Sequence, residues 1–355
     1  MKLQRISLIA ALCLASGSSF ASSTTCSSVY DSLKQGYITL SAAQKDYPEC
    51  FAGSSPATSQ QISATSFQQV TAISAGLGGR LLGAAGGPPL QAAAGGTGMA
   101  AGGPADKWNA WGNVSQNSNR YDATDSAAVR IKSGADILNV VFGADYRLDA
   151  KTVVGASAAF DRGTGTVGVA VPVGTTTSGY ALAPYIGYQV SDRLAFDASV
   201  GLGEGKSSIG AGNTDVTRTF LAGNATYSYW RGNWQMSGKA GLLWAQEKSS
   251  DIRNNGAVVA NTATTARLGQ LRAGVEAGYW YGNGIQPYVG LLYSTDMLRS
   301  AQGNAPWDRD AFLLTLGVNF FSLKDKITGG IVYSNETGRQ HTRNSTLMGN
   351  LNIRF

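Results

Sequence analysis

The chain predicts an all-β fold: a twelve-stranded antiparallel transmembrane β-barrel with an N-terminal helix inside the lumen. Three observations carry this. The first is the C-terminus. Leu347, Leu351, Ile353 and Phe355 alternate with Met348, Asn350, Asn352 and Arg354, a period-two strand with one apolar face that runs to the last residue. Outer-membrane barrels end this way, because the last strand must pair with the first and no open edge is tolerated in lipid. Leu351, Ile353 and Phe355 are therefore read as the barrel-assembly signal. The second is composition. Glycine is abundant at 46 residues and charged residues make up only 14%, against about 25% in a soluble domain. The third is an alternation of short and long connections along the second two thirds of the chain, which a β-sandwich does not predict.

The elements follow in order. Residues 1–21 read as a signal peptide: Lys2 and Arg5, an apolar run over 6–14, then Ser19-Phe20-Ala21 as a small-x-small cleavage site. The run is too short to span a bilayer as a helix. Cys13 follows Leu12, which is too large for a lipoprotein cleavage site. Residues 22–56 form a short polar exported segment with Cys26 and Cys50. In an exported chain these two can form one disulfide, the alternative being two free thiols. Residues 57–82 read as a helix, from the spacing of Ile62, Phe67, Val70, Ile73, Leu77 and Leu81. Gly76, Gly78 and Gly79 each weaken it by roughly 1 kcal/mol, the alternative being a marginal helix in a disordered linker. A helix is about 10–12 Å across, a size that suits the lumen of a barrel between eight and sixteen strands. Its one charge, Arg80, is a candidate partner for an inward acid such as Glu276 or Glu204. Residues 83–106 are a Gly/Ala/Pro linker.

From 107 to the end the chain reads as barrel. Strands are expected over 108–119, 137–148, 152–160, 180–190, 194–202, 218–229, 234–246, 267–280, 285–293, 312–321, 327–334 and 345–355. Each is about the length that crosses a bilayer when tilted. Short turns are expected at 149–151, 191–193, 231–233, 282–284 and 324–326, and long loops at 120–136, 161–179, 203–217, 247–266, 294–311 and 335–344. Short turns belong in the periplasm and long loops outside. Parity assigns the faces. Trp234, Met236, Leu242, Val275, Phe312 and Leu316 point to lipid, while Lys239, Arg272 and Glu276 point inward. A Lys or Arg facing lipid at mid-depth costs about 2–4 kcal/mol, so these charges belong in the lumen. Aromatics beside the short turns (Tyr229, Trp230, Trp234, Tyr279, Trp280, Tyr281) suggest an interfacial girdle. Pro184 and Pro287 lie inside strands and should mark bulges or rims.

Several stretches carry a resemblance: Trp108-Asn-Ala-Trp-Gly-Asn-Val-Ser, Tyr229-Trp-Arg-Gly-Asn-Trp, Gly238-Lys-Ala-Gly-Leu-Leu-Trp-Ala-Gln-Glu and Gln286-Pro-Tyr-Val-Gly. With the order of segments, they make residues 108–355, and loosely 57–82, similar to the β-barrel translocator domain of the monomeric autotransporters (type Va secretion). The resemblance implies a barrel in the bacterial outer membrane and a helix threading the pore. The N-terminal segment is then displayed or secreted at the cell surface. The implied partners are outer-membrane lipid and lipopolysaccharide, the barrel-assembly machinery and periplasmic chaperones, for a chain that acts as a monomer. Two departures stand out. Passengers in the family usually run to hundreds of residues, whereas about 35 precede the helix here. The helix also lacks the Asn-Asn pair used for self-cleavage in one branch. The alternatives are a porin-like channel, or an adhesin acting through the loops 161–179 and 247–266.

Catalytic, cofactor and metal sites are not expected. Gly163-Thr-Gly-Thr-Val-Gly168 matches a dinucleotide pattern by letter but falls in an expected loop with no helix after it. Gly201-Leu-Gly-Glu-Gly-Lys-Ser207 fails the phosphate-loop spacing. His341 is the only histidine, so a multi-histidine metal site is impossible. His341 near Ser345 and Glu336 reads as a solvated loop residue. The net charge of +6 is scattered rather than clustered, which is no nucleic-acid footprint.

Overall fold

The computed structural model describes residues 107–354 apart from 125–129, 169–172, 211, 255–256, 261, 283, 300–307 and 323–326, together with residues 28, 29, 32, 35, 37, 42, 69–71 and 73. The signal peptide, Cys26, Cys50, Arg80, the linker and Phe355 lie outside the described residues. The strands are β1 (Trp108–Thr124), β2 (Arg130–Arg147), β3 (Thr152–Gly168), β4 (Val173–Ser191), β5 (Leu194–Ile209), β6 (Gly212–Arg231), β7 (Trp234–Ser249), β8 (Ile252–Asn254), β9 (Ala257–Val259), β10 (Thr264–Tyr279), β11 (Ile285–Arg299), β12 (Asp310–Ser322), β13 (Ile327–Thr337) and β14 (Thr342–Arg354). Twelve long strands close into one antiparallel barrel. Sequential neighbours pair, β7 pairs β10, and β14 returns to β1 with Leu351 opposite Gly112 and Ile353 opposite Ala110. The short hairpin β8–β9 leans on the end of β6.

Alternation decides which face is which. On β12, Phe312, Leu314, Leu316, Val318 and Phe320 are exposed, while Thr315 and Asn319 are buried. On β7, Trp234, Met236 and Leu242 are exposed against buried Gln235 and Ser237. The exposed residues make a continuous apolar outer wall, which in water would be untenable and in lipid is the stable arrangement. Leu351 and Ile353 belong to that wall.

The strands are taller than expected, and most of the expected long loops are strand. The connection placed over 161–179 is β3 and β4 except for 169–172, and 163–168 is part of β3 rather than a loop. The connection over 247–266 contains β8 and β9. Ladder bonds join backbone groups and do not require apolar side chains, so Gly, Ser and Thr continue the wall after the greasy pattern ends. A 17-residue strand such as β1 is roughly 56 Å long, and at a tilt of about 45° still rises roughly 40 Å, against an apolar band of about 25 Å. The excess stands on the long-connection side.

The short turns are built locally. Asp149 accepts from the backbone N–H of Lys151 at 2.7 Å and of Thr152 at 2.8 Å. The Lys151 amide is the main cause that holds the Asp149 carboxyl below the usual carboxylate range. In the β6–β7 turn Gly232 takes a φ of 59°, which an L side chain resists. Beside these turns, Trp234 packs on Tyr279 with ring centroids 5.0 Å apart, and Tyr279 on Tyr281 at 5.1 Å. Trp280 departs from the expected girdle. It is buried and packs edge-on against Phe321, because a residue between two outward tyrosines must face inward. Pro287 sits near the short-turn rim, as expected. Pro184 does not mark a bulge: β4–β5 pairing breaks off at Ala183 and Pro184 and resumes in the same register, where proline has no N–H to give.

Candidate functional site

The lumen gathers the polar chemistry of the chain. Its inner wall is not polar throughout. Inward Val141, Val153, Ala159, Ala183, Ala195, Ala222 and Ala245 form an apolar belt with Trp111, Tyr185 and Phe220. Val70 and Ile73 belong to the same cluster. The described residues of the 57–82 stretch, Gln69, Val70, Thr71 and Ile73, are helical. Gln69 is fully buried and its Nε2 donates to Ser157 Oγ at 3.1 Å on β3 and to the carbonyl of Ala181 at 3.4 Å on β4. The aromatic residues lock the belt. Trp111 Nε1 donates to Tyr185 Oη at 2.9 Å, and Phe220 lies over Gly201, where any Cβ would strike the ring.

Two charged networks lie in the same interior. In the first, Arg218 on β6 donates through Nε to Glu247 on β7 at 2.9 Å, and also pairs with Asp161 on β3. Its second terminal nitrogen lies 3.4 Å from Thr177 Oγ1 on β4. In the second, Arg299 pairs with Asp296 at 3.1 Å, Arg339 pairs with Asp296 at 3.4 Å and with Glu336 at 2.9 Å, and Gln270 Nε2 donates to Asp296 at 2.6 Å. Arg272 joins it, its Nε donating to Gln270 Oε1 at 2.5 Å. A small cavity of about 50 Å³ lies among these side chains, with Asn117, Asn119 and Thr346 across from the arginines. Unpaired charges at such depth are costly, and Arg218, Arg299 and Arg339 each pair with a carboxylate.

Of the residues singled out in the sequence, Lys239 and Glu276 meet at 2.9 Å and Glu276 is buried. Arg272 lies in the second network. Glu204 does not face the lumen. Gly201 and Gly203 take the inward positions of β5, so parity turns Glu204 outward, where it accepts from Tyr180 Oη at 3.2 Å. Glu336 is engaged by Arg339 rather than by His341. Asp161, Glu247, Asp296, Arg299 and Arg339 were missed because they fall in the expected loops. Parity was the signal that could have found them: Asp161 follows buried Ala159 by two residues, and Glu247 follows buried Ala245 by two. Among the described residues no cluster of His, Cys, Asp and Glu could hold a metal ion.

The geometry agrees with known proteins. Residues 110–334 match the family model described as the autotransporter β-domain. Among solved structures the chain is similar to the translocator domain of autotransporter NalP from Neisseria meningitidis, 15% identical, covering 70% of this chain and 89% of that one at a TM-score of 0.56. It is similar to the β-domain of the Bordetella autotransporter BrkA, 13% identical, with 70% and 100% covered and a TM-score of 0.56. It is also similar to the transport unit of autotransporter AIDA-I from Escherichia coli, 12% identical, with 70% and 90% covered and a TM-score of 0.52. At these identities the likeness speaks for the fold alone. No curated protein matches the chain in sequence.

Proposed function

The chain belongs to the autotransporter β-domain family, and from that premise we propose that its outer-membrane translocator barrel carries the short segment 22–56 to the cell surface. The barrel itself is transport machinery of the bacterial outer membrane rather than an enzyme, and family membership implies insertion by the barrel-assembly machinery. The finer reading assigns 57–82 to a helix in the lumen. The observation that carries it is the buried set Gln69, Val70 and Ile73, helical and bonded to the inner wall through Ser157 and Ala181. A segment held there lies between residues 22–56 and β1 in the chain, the order that passage of 22–56 through the pore requires. Lys239, Glu276 and Arg272, with Arg80, serve as polar lining along which a backbone can move. Cys26 and Cys50 close one disulfide once the segment leaves the reducing cytoplasm. Lipopolysaccharide contacts the tall outer wall, periplasmic chaperones escort the unfolded chain, and the barrel works as a monomer.

The test is surface exposure of an epitope inserted at Ser54, read on intact cells. Labelling that is sensitive to external protease supports display. Label reached only after the outer membrane is opened would leave the segment in the periplasm and sink the proposal.

A further inference from the structure

Large side chains ridge much of the described lipid-facing wall, and between some of them the wall is open. Across β6, β7, β10 and β11 a groove of about 650 Å³ opens, almost wholly apolar, within the ~300–1,000 Å³ range of small-ligand sites. Register explains it. Gly238 on β7 stands opposite Tyr227 on β6 and Val275 on β10, in a row that continues to Leu291 on β11. The next row towards the short turns runs Tyr229, Met236, Ala277, Val289. Gly238 and Ala277 are the small residues of these two rows, and Tyr227, Tyr229, Met236, Val275, Val289 and Leu291 stand around them. A Cβ added at Gly238 meets nothing within 4 Å, so the space above it is open.

The groove has a charged end. Arg193, in the β4–β5 turn, belongs to its lining, and its guanidinium lies over the Tyr229 ring, 5.1 Å from the centroid. A guanidinium held by its face keeps N–H groups at its edge for an anion. Short turns of such barrels lie on the periplasmic side, so this end sits at the inner leaflet's headgroup level. An apolar trough ending in one fixed cation is complementary to a single amphiphile with an anionic head.

We propose that the groove is a resident phospholipid site, with an acyl chain lying over Gly238 and the lipid phosphate on Arg193. The lipid is drawn from the periplasmic leaflet and is held by the barrel rather than merely passing along it. Filling the trough removes the chain's place, and removing the cation leaves the phosphate unpaired.

The full-length protein, purified from membranes in mild detergent and washed by repeated detergent exchange, is examined by native mass spectrometry for bound phospholipid. The wild type is expected to retain one phospholipid. Gly238→Leu, whose Cβ enters open space, fills the trough and abolishes retention. Arg193→Gln lowers it roughly fivefold, the effect of one basic residue at a headgroup. Folding of each variant is checked by heat-modifiable gel mobility, and Arg193→Gln keeps the test intact if Gly238→Leu fails to fold. Equal retention in wild type and Arg193→Gln, or no retained lipid in the wild type, overturns the proposal. So does cross-linking in membranes that captures a second copy of the chain at this face and is lost in Gly238→Leu.

Discussion

Arg218 donates through Nε to Glu247 at 2.9 Å inside the barrel, where both side chains are almost entirely removed from solvent. The same guanidinium pairs with Asp161, three strands away around the wall. One cation therefore ties β3, β6 and β7 together from within.

Arg218→Met should destabilise the barrel by about 3–5 kcal/mol, because two buried carboxylates lose their counter-charge. Urea unfolding in micelles, followed by tryptophan fluorescence, measures it. Arg218→Lys should recover only part of the loss, since an ammonium cannot fork between two carboxylates. An unchanged midpoint in Arg218→Met would refute the role.

Gly201→Val should cost about 1–3 kcal/mol, because the new side chain meets the Phe220 ring. Phe220→Ala should cost about 3–5 kcal/mol by emptying part of the inner belt. The double variant should cost less than the two added together, as residues in contact are not independent. Strict additivity would mean that the two do not share one space.

Cysteines placed at Gln69 and Ser157, with Cys26 and Cys50 replaced by serine, should cross-link with a short bifunctional methanethiosulfonate reagent, which makes up for the reach that Cys lacks relative to Gln. The native side chains there are 3.1 Å apart at their polar atoms. A shift in gel mobility that reverses on reduction is the readout. No cross-link in folded barrels would remove the helical segment from the lumen.

Leu316→Arg, at the middle of β12 on the exposed face, should cost about 2–4 kcal/mol. Ile285→Arg, at the first position of β11, should cost only about 0–1 kcal/mol, as the penalty fades towards the membrane surface. Equal effects would contradict the lipid-facing assignment.

Deletion of Phe355 should lower the yield of heat-modifiable barrel while leaving export across the inner membrane intact, since β14 supplies the closing seam with β1. Wild-type yield in that variant would show that the terminal residue is dispensable for insertion.

Much of the fold was legible because strand parity is a local property. Leu347, Leu351 and Ile353 alternate with polar residues, and that alone assigns a lipid face. The same rule separated Lys239 and Glu276 from the outer wall. It stopped too early at the long-connection ends. Beyond Phe160 and Gln246 the outward positions become Gly, Thr, Arg and Lys, so the hydrophobic signal vanishes while the backbone ladder continues through β3 and β7. Charges on the inner face were lost with it.

By itself the sequence determined the count of long strands, the two faces, the tight turns among the described residues and the closing strand, since each depends on residues adjacent in the chain. Only the tertiary structure decided which inward residues meet. Asp161 and Arg218 are 57 positions apart, and Phe220 finds Gly201 because β5 and β6 pair in one register and no other. Register and barrel curvature are collective outcomes of all the ladders closing at once. They set the height of the wall and the partner of every buried charge, and no single stretch of chain contains them.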